Sequence, residues 1–210
     1  MKRIASCLIL SVLLMVPALT RAQEIAPDAL AKRVTEEVLV IIRSDKDIRA
    51  GDTRKILDLV EAKVLPHFDF TRMTSLAVGA AWRQATAAQQ QTLTNEFRAL
   101  LVNTYTNAFS QYRDQAIEYR PLKLQPADSG VVVRSLIKQS GGGDPIDVNY
   151  SMQKTDQGWK VYDVTIGGIS LVQNYRSSFT SEIQKGGIDG LIATLAGKNK
   201  TLSQQQASKK

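Results

Sequence analysis

The sequence is poor in the residues that most often carry enzyme chemistry. Its 210 residues include a single cysteine, Cys7, and a single histidine, His67. A lone histidine excludes a histidine-based metal cluster, and a Ser–His pair could form only around His67. The glycine-rich, nucleophile-elbow and metalloprotease motifs of common enzymes are absent as well. The sequence therefore does not favour catalysis, and we interpret His67 as a packed or capping side chain.

Only one long apolar run is present, and it lies at the N-terminus. Lys2 and Arg3 precede the apolar residues 4–16, Pro17 follows them, and small residues lead up to position 22. The run is shorter than the ~20 residues that cross a bilayer. This pattern predicts an export signal over residues 1–22, which would also remove Cys7. We therefore expect a soluble exported protein that is held together without disulfides.

The charged residues are dispersed along the chain, and the last residues form a polar tail. The net charge is +7, and several lysines fall in the Gln-rich residues 198–210. This composition predicts a disordered tail, with attraction to anionic lipid surfaces or acidic partners as the alternative. Basic residues do not alternate with aromatic ones, so we expect no nucleic-acid binding. One domain is predicted over residues 23–197.

In the first half of this domain, apolar residues recur with the period of α-helices. A helix is predicted from Pro27, a turn over residues 47–51, and a second helix from Asp52 as N-cap to the residues before Pro66. A short helix follows and stops at Gly79. The pair Thr86 and Gln89 predicts a capping box that opens a long helix reaching about residue 112.

In the second half, apolar residues recur with the period of β-strands. Four strands are predicted over residues 116–124, 130–139, 145–154 and 158–166, as an antiparallel meander. In the third strand the apolar residues alternate with polar ones, so one face is predicted to be buried. For the fourth strand we favour Tyr162, Val164 and Ile166 as inward, although Trp159 and Val161 compete.

After Gly167 and Gly168 the apolar spacing predicts a return to helix, to residue 184, and a last helix follows Gly187. Helices thus precede and follow a sheet with one apolar face. The predicted fold class is α+β, with a four-stranded antiparallel sheet and helices packed on one of its faces.

Four segments in this order resemble a known family. They are residues 158–179, which read GWKVYDVTIGGISLVQNYRSSF, the helix over residues 70–79, the helix with Trp82, Phe97, Leu101, Tyr105 and Tyr112, and the closing segment from Gly187. Together they resemble the MlaC (toluene-tolerance) family of periplasmic phospholipid carriers. The resemblance implies an NTF2-like cone around an apolar lipid pocket, with a phospholipid as cargo and no cofactor.

The resemblance also implies partners and a location. It implies a monomer in the periplasm that moves diacyl phospholipid between an outer-membrane MlaA-like lipoprotein with its porin and the MlaD-like ring of an inner-membrane ABC transporter. Such transport would maintain outer-membrane lipid asymmetry. Arg176 is a candidate for the phosphate, with an ion pair or a helix cap as its ordinary interpretation.

A pocket between helices and sheet would be lined by inward apolar side chains. The candidate lipid-binding residues are Met73, Leu76, Phe97, Leu101, Tyr105, Val133, Ile146, Val148, Tyr150, Met152, Val164, Ile166, Ile169 and Leu171.

Two other classes of function remain open. An α+β cone could be a small-molecule enzyme of the NTF2-like kind, in which Asp163 would be the base. It could also be a periplasmic chaperone or interaction protein that uses exposed apolar surface without a closed cavity.

Overall fold

A computed structural model describes residues 25–106, 115–139 and 141–207. The predicted signal, residues 1–22, and the expected end of the long helix lie outside these ranges. No helix of the described residues combines the length and apolar character needed to cross a bilayer. The helices and strands are α1 Pro27–Ser44, α2 Lys46–Ala50, α3 Thr53–Lys63, α4 Phe70–Val78, α5 Ala87–Tyr105, β1 Ala116–Tyr119, β2 Gly130–Lys138, β3 Ile146–Thr155, β4 Gly158–Ile166, β5 Ile169–Ser170 and α6 Leu171–Ala207, with 3₁₀ segments at Leu65–His67 and Gly79–Gln84.

The helix boundaries in the first half follow the local signals. Pro27 occupies the first turn of α1, and Asp52 caps α3 by accepting hydrogen bonds from two backbone N–H groups. The predicted turn over residues 47–51 is instead the short helix α2. Asp45 caps its start, and Gly51, at φ +94°, ends it in the left-handed conformation that a glycine adopts without strain.

The capping box that opens α5 is confirmed. The backbone N–H of Gln89 donates to the Thr86 hydroxyl at 3.2 Å, and the Thr86 N–H donates to the Gln89 side chain at 3.0 Å. Two backbone donors at the helix start are thereby satisfied.

Within the described residues the sheet has five antiparallel strands in the order β1-β2-β3-β4-β5, so the prediction of four strands is wrong. The additional strand β5 stands where helix was expected. Gly167 and Gly168 have φ values of +55° and +85°, and Ile166 pairs with Ile169 across them. Two positive φ values are typical of the tight turn of a two-residue hairpin, so the glycine pair reverses the chain before the helix begins. The strand β1 ends at Tyr119 rather than at residue 124, since Pro121 lacks the N–H that a strand requires.

A β-bulge resolves the competition in the fourth strand. Tyr150 pairs with Val164, but two residues along β3 Met152 pairs with Val161, so β4 carries one extra residue between these pairs. The extra residue shifts the alternation by one position. Val164 on one side of the bulge and Val161 and Trp159 on the other are therefore all buried. Each of the two competing patterns is correct for its own half of β4.

The polar end of the chain is helical up to Ala207 and not disordered as predicted, while residues 208–210 lie outside the description. Asn199 is 8% exposed, and its amide donates to the carbonyl and the carboxylate of Glu96 on α5 at 2.9 and 2.7 Å. The polar residues are thus held by hydrogen bonds to a neighbouring helix, which composition alone does not reveal. Within α6 the helix breaks at Gly187, at φ +67° and ψ −166°.

Buried apolar side chains of the described residues form three clusters. The helix cluster joins α4, α5 and α6 around Phe97 and Leu191. The sheet cluster joins one face of the sheet to Leu30 of α1. The third cluster joins α1, α2 and α3 around Ile42 and Ile56. Helices therefore adjoin the sheet at different strands, α1 at β2 and both α4 and α6 at β4.

Candidate functional site

The inward face of the sheet is assembled by strand register. Val133, Tyr150 and Val164 are cross-strand neighbours on adjacent strands, and Val148 and Met152 lie two residues away along β3. Because alternate residues share one face, these side chains form a continuous apolar wall. The candidate residues that the structure brings together here are Val133, Ile146, Val148, Tyr150, Met152 and Val164.

A second group of candidates belongs to the helix cluster. Met73 and Phe97 are fully buried there, and the ring of Phe97 meets those of Tyr175 and Phe179 edge to face at 5.1 Å. Such pairs stabilise packing beyond the area they bury. The candidates in this cluster are Met73, Leu76, Phe97, Leu101 and Tyr105.

The two groups meet at Phe68 and Leu171. Among the described residues, these two pack against both the helix cluster and the sheet cluster, and both remain partly accessible. Phe68 also bridges to Val161, and the N–H of Asp69 donates to the Val161 carbonyl at 2.8 Å. We call this junction the seam. It is where helices and sheet adjoin, and so it is the candidate site for an apolar ligand.

Two predicted lining residues lie at the surface instead. Ile166 and Ile169 are 36% and 62% exposed, on either side of the Gly-Gly turn. Ile166 lies opposite the buried Val148, on the face that was expected to be inward, but as the last residue of β4 beside the turn it remains exposed to solvent. Ile169 was expected to begin a packed helix, whereas it belongs to the exposed strand β5.

Several buried or partly buried side chains were missing from the predicted set. Phe68 lies just before α4 and pairs with Val161 of β4. Trp159 and Val161 were only the competing alternative for the inward face, because the bulge interrupts the alternation. Phe179, Leu191 and Leu195 belong to the core, and their helical spacing was a signal that could have identified them.

Hydroxyl groups gather at one place on the apolar wall. The hydroxyls of Tyr119 and Thr35 lie 2.6 Å apart, and Tyr119 also donates to the Ala31 carbonyl at 3.2 Å. The Ser135 hydroxyl donates to the Val148 carbonyl at 2.7 Å. Burial, followed by the proximity of Tyr119, raises the pKa of the Tyr150 hydroxyl, because an apolar environment disfavours the phenolate.

The charged candidates have structural partners. Asp163 accepts hydrogen bonds from the Ser170 hydroxyl at 2.6 Å and from the Val172 N–H at 3.1 Å, so it caps the start of α6. Both carboxylate oxygens are engaged, which is the geometry of a cap. Burial and then the charges of Lys160 and Arg33 lower the pKa of His67.

Arg176 lies over the backbone of Gly79. A Cβ at that glycine would approach the Arg176 guanidinium at 3.5 Å. Among the described residues, no cluster of three or more histidine, cysteine or acidic side chains could hold a metal ion.

A separate cleft of about 420 Å³ lies between α5 and the end of α6. It is open to solvent, and its lining includes Leu100, Thr194, Lys198 and Leu202. None of the candidate lipid-binding residues lines it. We therefore regard the seam, and not this cleft, as the candidate site.

Comparison with known proteins gives consistent matches. The family model described as MlaC protein matches residues 32–197. The intermembrane phospholipid transport system binding protein MlaC of Haemophilus influenzae is 24% identical over 178 residues, which cover 84% of this chain and 83% of that protein. The toluene tolerance protein ttg2D of Pseudomonas putida is 26% identical over 175 residues, which cover 82% and 80%.

A solved structure is similar as well. It is that of the phospholipid-binding protein from Ralstonia solanacearum in complex with a phospholipid, with a TM-score of 0.78 and 38% identity over 84% of this chain and 98% of that chain. The matches span the helices, the sheet and the seam between them. The chain therefore belongs to the MlaC family.

Proposed function

We propose that this protein binds a diacyl phospholipid with its acyl chains at the seam and carries it between two membranes. The similarity to the Ralstonia solanacearum protein, whose structure contains a phospholipid, is the observation that carries this proposal. The wall formed by Val133, Val148 and Met152 and the opposing helix cluster supply apolar surfaces on two sides of the site.

The physical need for a carrier is large. Exposing one methylene to water costs ~0.8 kcal/mol, so a lipid with ~30 methylenes costs on the order of 20 kcal/mol to move through water. A binding site that buries both chains removes this barrier. The same free energy holds the lipid in place against water, so release requires another apolar site or a bilayer.

The proposed route is the periplasm. Residues 1–22 would direct export, and the carrier would exchange lipid with an outer-membrane lipoprotein–porin complex and with the MlaD-like ring of an inner-membrane ABC transporter. The curated relative from Haemophilus influenzae is named for intermembrane phospholipid transport, which supports this assignment.

The proposal is tested by lipid extraction from the protein purified out of the periplasm. Mass spectrometry is expected to find diacyl phospholipid at about one molecule or more per protein, and N-terminal sequencing is expected to begin at Gln23. A protein that carries no phospholipid and takes none up from vesicles would contradict the proposal. Transfer is then measured with a fluorescent phospholipid passed to vesicles that hold the inner-membrane complex.

A further inference from the structure

The turn between β4 and β5 carries two isoleucine side chains at the surface. Ile169 is 62% exposed and Ile166 is 36% exposed. The two residues pair across the Gly-Gly turn, so their side chains lie on the same face of the hairpin. A two-residue hairpin turn fixes the register of its strands, and with it the position of both side chains. We call Ile166 and Ile169 the apolar tip.

The apolar tip is continuous with the candidate site. Ile166 lies opposite the buried Val148 of β3, on the same face as the apolar wall. Ile169 is separated by a single residue from Leu171, which packs against both clusters at the seam. Apolar side chains thus lead from solvent at the tip to the wall through one strand and to the seam through the other.

The charges near the apolar tip do not favour an anionic partner. Lys138 forms an ion pair with Glu118, and Arg120 lies 3.9 Å from Asp147. The backbone carbonyl of Asp147 accepts a hydrogen bond of 2.9 Å from the first glycine of the turn, so these pairs lie close to the tip. On strands β1 to β3 and the turn before β3, the basic side chains near the tip are matched in number by acidic ones: Glu118, Arg120, Arg134, Lys138, Asp144 and Asp147. A neutral surface therefore suits this end of the sheet better than an anionic one.

The chemistry of the proposed cargo indicates which neutral surface the tip contacts. Every methylene of an acyl chain that passes through water opposes the transfer. An entrance whose apolar side chains reach the hydrocarbon of a bilayer joins the two apolar environments, so the chains need not cross water. Two isoleucines add only a small apolar area, so such a contact is weak and the protein can leave the membrane again.

We propose that the apolar tip inserts into the surface of a zwitterionic phospholipid bilayer and forms the entrance through which acyl chains pass between the bilayer and the seam. This inference rests on the proposed function, since it names the surface with which the same site exchanges its lipid. Because the contact is made by apolar side chains beside paired charges, lipid exchange depends little on salt concentration or on anionic lipid.

The test measures how fast the full exported protein, loaded with fluorescent phosphatidylethanolamine, delivers this lipid to vesicles of phosphatidylcholine that contain no protein. Ile169→Gln removes the apolar side chain that is 62% exposed and free to enter the bilayer. We expect delivery to slow about 5- to 20-fold, the value of burying an isoleucine scaled by this exposed fraction. Ile166→Gln, with 36% exposed, is expected to slow delivery about 2- to 6-fold.

Val40→Gln is the matched control, because Val40 is also 62% exposed but lies on α1 beside the third cluster, and it is expected to keep the wild-type rate. Equal rates in Ile169→Gln and Val40→Gln would overturn the inference. A wild type that delivers lipid to no protein-free vesicle, or only to vesicles with anionic phospholipid, would also overturn it.

Two further outcomes separate the entrance from other roles of the tip. Slower delivery by Ile169→Gln to vesicles that hold the inner-membrane complex, with an unchanged rate to protein-free vesicles, would overturn the inference and assign the tip to a protein partner. Loss of fluorescent lipid from a folded Ile169→Gln protein would overturn it as well, because the residue would then belong to the site itself. If the wild type cannot be loaded at all, the proposed function fails, which is a distinguishable result.

Discussion

Replacement of Val148 by Asp tests whether the inward face of the sheet is the wall of the lipid site. Val148 is 7% exposed in the sheet cluster, opposite Ser135 and Ile166 on the neighbouring strands. The matched control is Val132→Asp. Val132 lies on the adjacent strand but points to the other face, where it is 39% exposed.

The magnitude follows from burial. A carboxyl group enclosed in apolar surroundings has its pKa raised by about 3 units, which costs about 4 kcal/mol at pH 7, and the lost valine burial adds about 1–2 kcal/mol. Because the pKa is raised in the folded state, the native protein keeps its proton longer than the unfolded chain. The stability of the variant therefore falls as pH rises from about 4 to about 7. At pH 5 the charge-related cost is only about 1.5 kcal/mol.

The assay measures bound phospholipid per folded protein at pH 7 and pH 5, with circular dichroism to verify folding. We expect Val148→Asp to lose its lipid at pH 7 and to regain part of it at pH 5, whereas Val132→Asp keeps wild-type loading at both. Wild-type loading of a folded Val148→Asp protein at pH 7 would show that this face is not the wall of the site.

Three further predictions concern the groups around the site. Asp163→Asn is expected to weaken the cap of α6 and lower stability by about 1–2 kcal/mol in urea unfolding, while lipid transfer is retained; loss of transfer from a folded, loaded variant would favour an enzymatic or docking role. Asn199→Ala is expected to cost about 2–3 kcal/mol, more than Gln206→Ala, which removes one bond to a carbonyl near the helix end; equal unfolding midpoints would contradict the clamped helix. Because the pKa of Tyr150 is raised by burial, stability should fall as pH rises above about 10, and Tyr150→Phe should lessen this fall in alkaline unfolding curves.

The elements that could be predicted are those fixed by neighbours in the chain. A cap such as Asp52, a capping box such as that of Thr86, and a stop such as Gly79 act within one turn of helix. Strict alternation along β3 likewise needs no distant partner. These signals predicted the starts of α1, α3 and α5 and the bounds of β2, β3 and β4 to within one residue, whereas α2, the end of β1 and the polar end of α6 were missed.

The bulge in β4 shows why the rest could not be predicted. A prediction from periodicity assigns one alternation of inward and outward side chains to the whole strand. The pairing of Met152 with Val161 shifts that alternation by one residue within β4. The change depends on contacts with β3 and with Phe68, which lie far away along the chain. The same limit applies to the candidate site, since periodicity identifies apolar faces but not which faces meet. Apart from Ile166 and Ile169, the predicted residues accordingly divide between two clusters.

This division bears on how a lipid could enter. Opening a single close-packed core costs much free energy, because many contacts are lost. Here, however, two clusters adjoin through Phe68 and Leu171, and both of these side chains are partly accessible. Full exposure of two such side chains costs at most about 6 kcal/mol, whereas burial of two acyl chains returns on the order of 20 kcal/mol. The free energy gained by burying the lipid chains is therefore several times the free energy lost when these two side chains are exposed. Without lipid, contact between the clusters keeps the same apolar surface out of water.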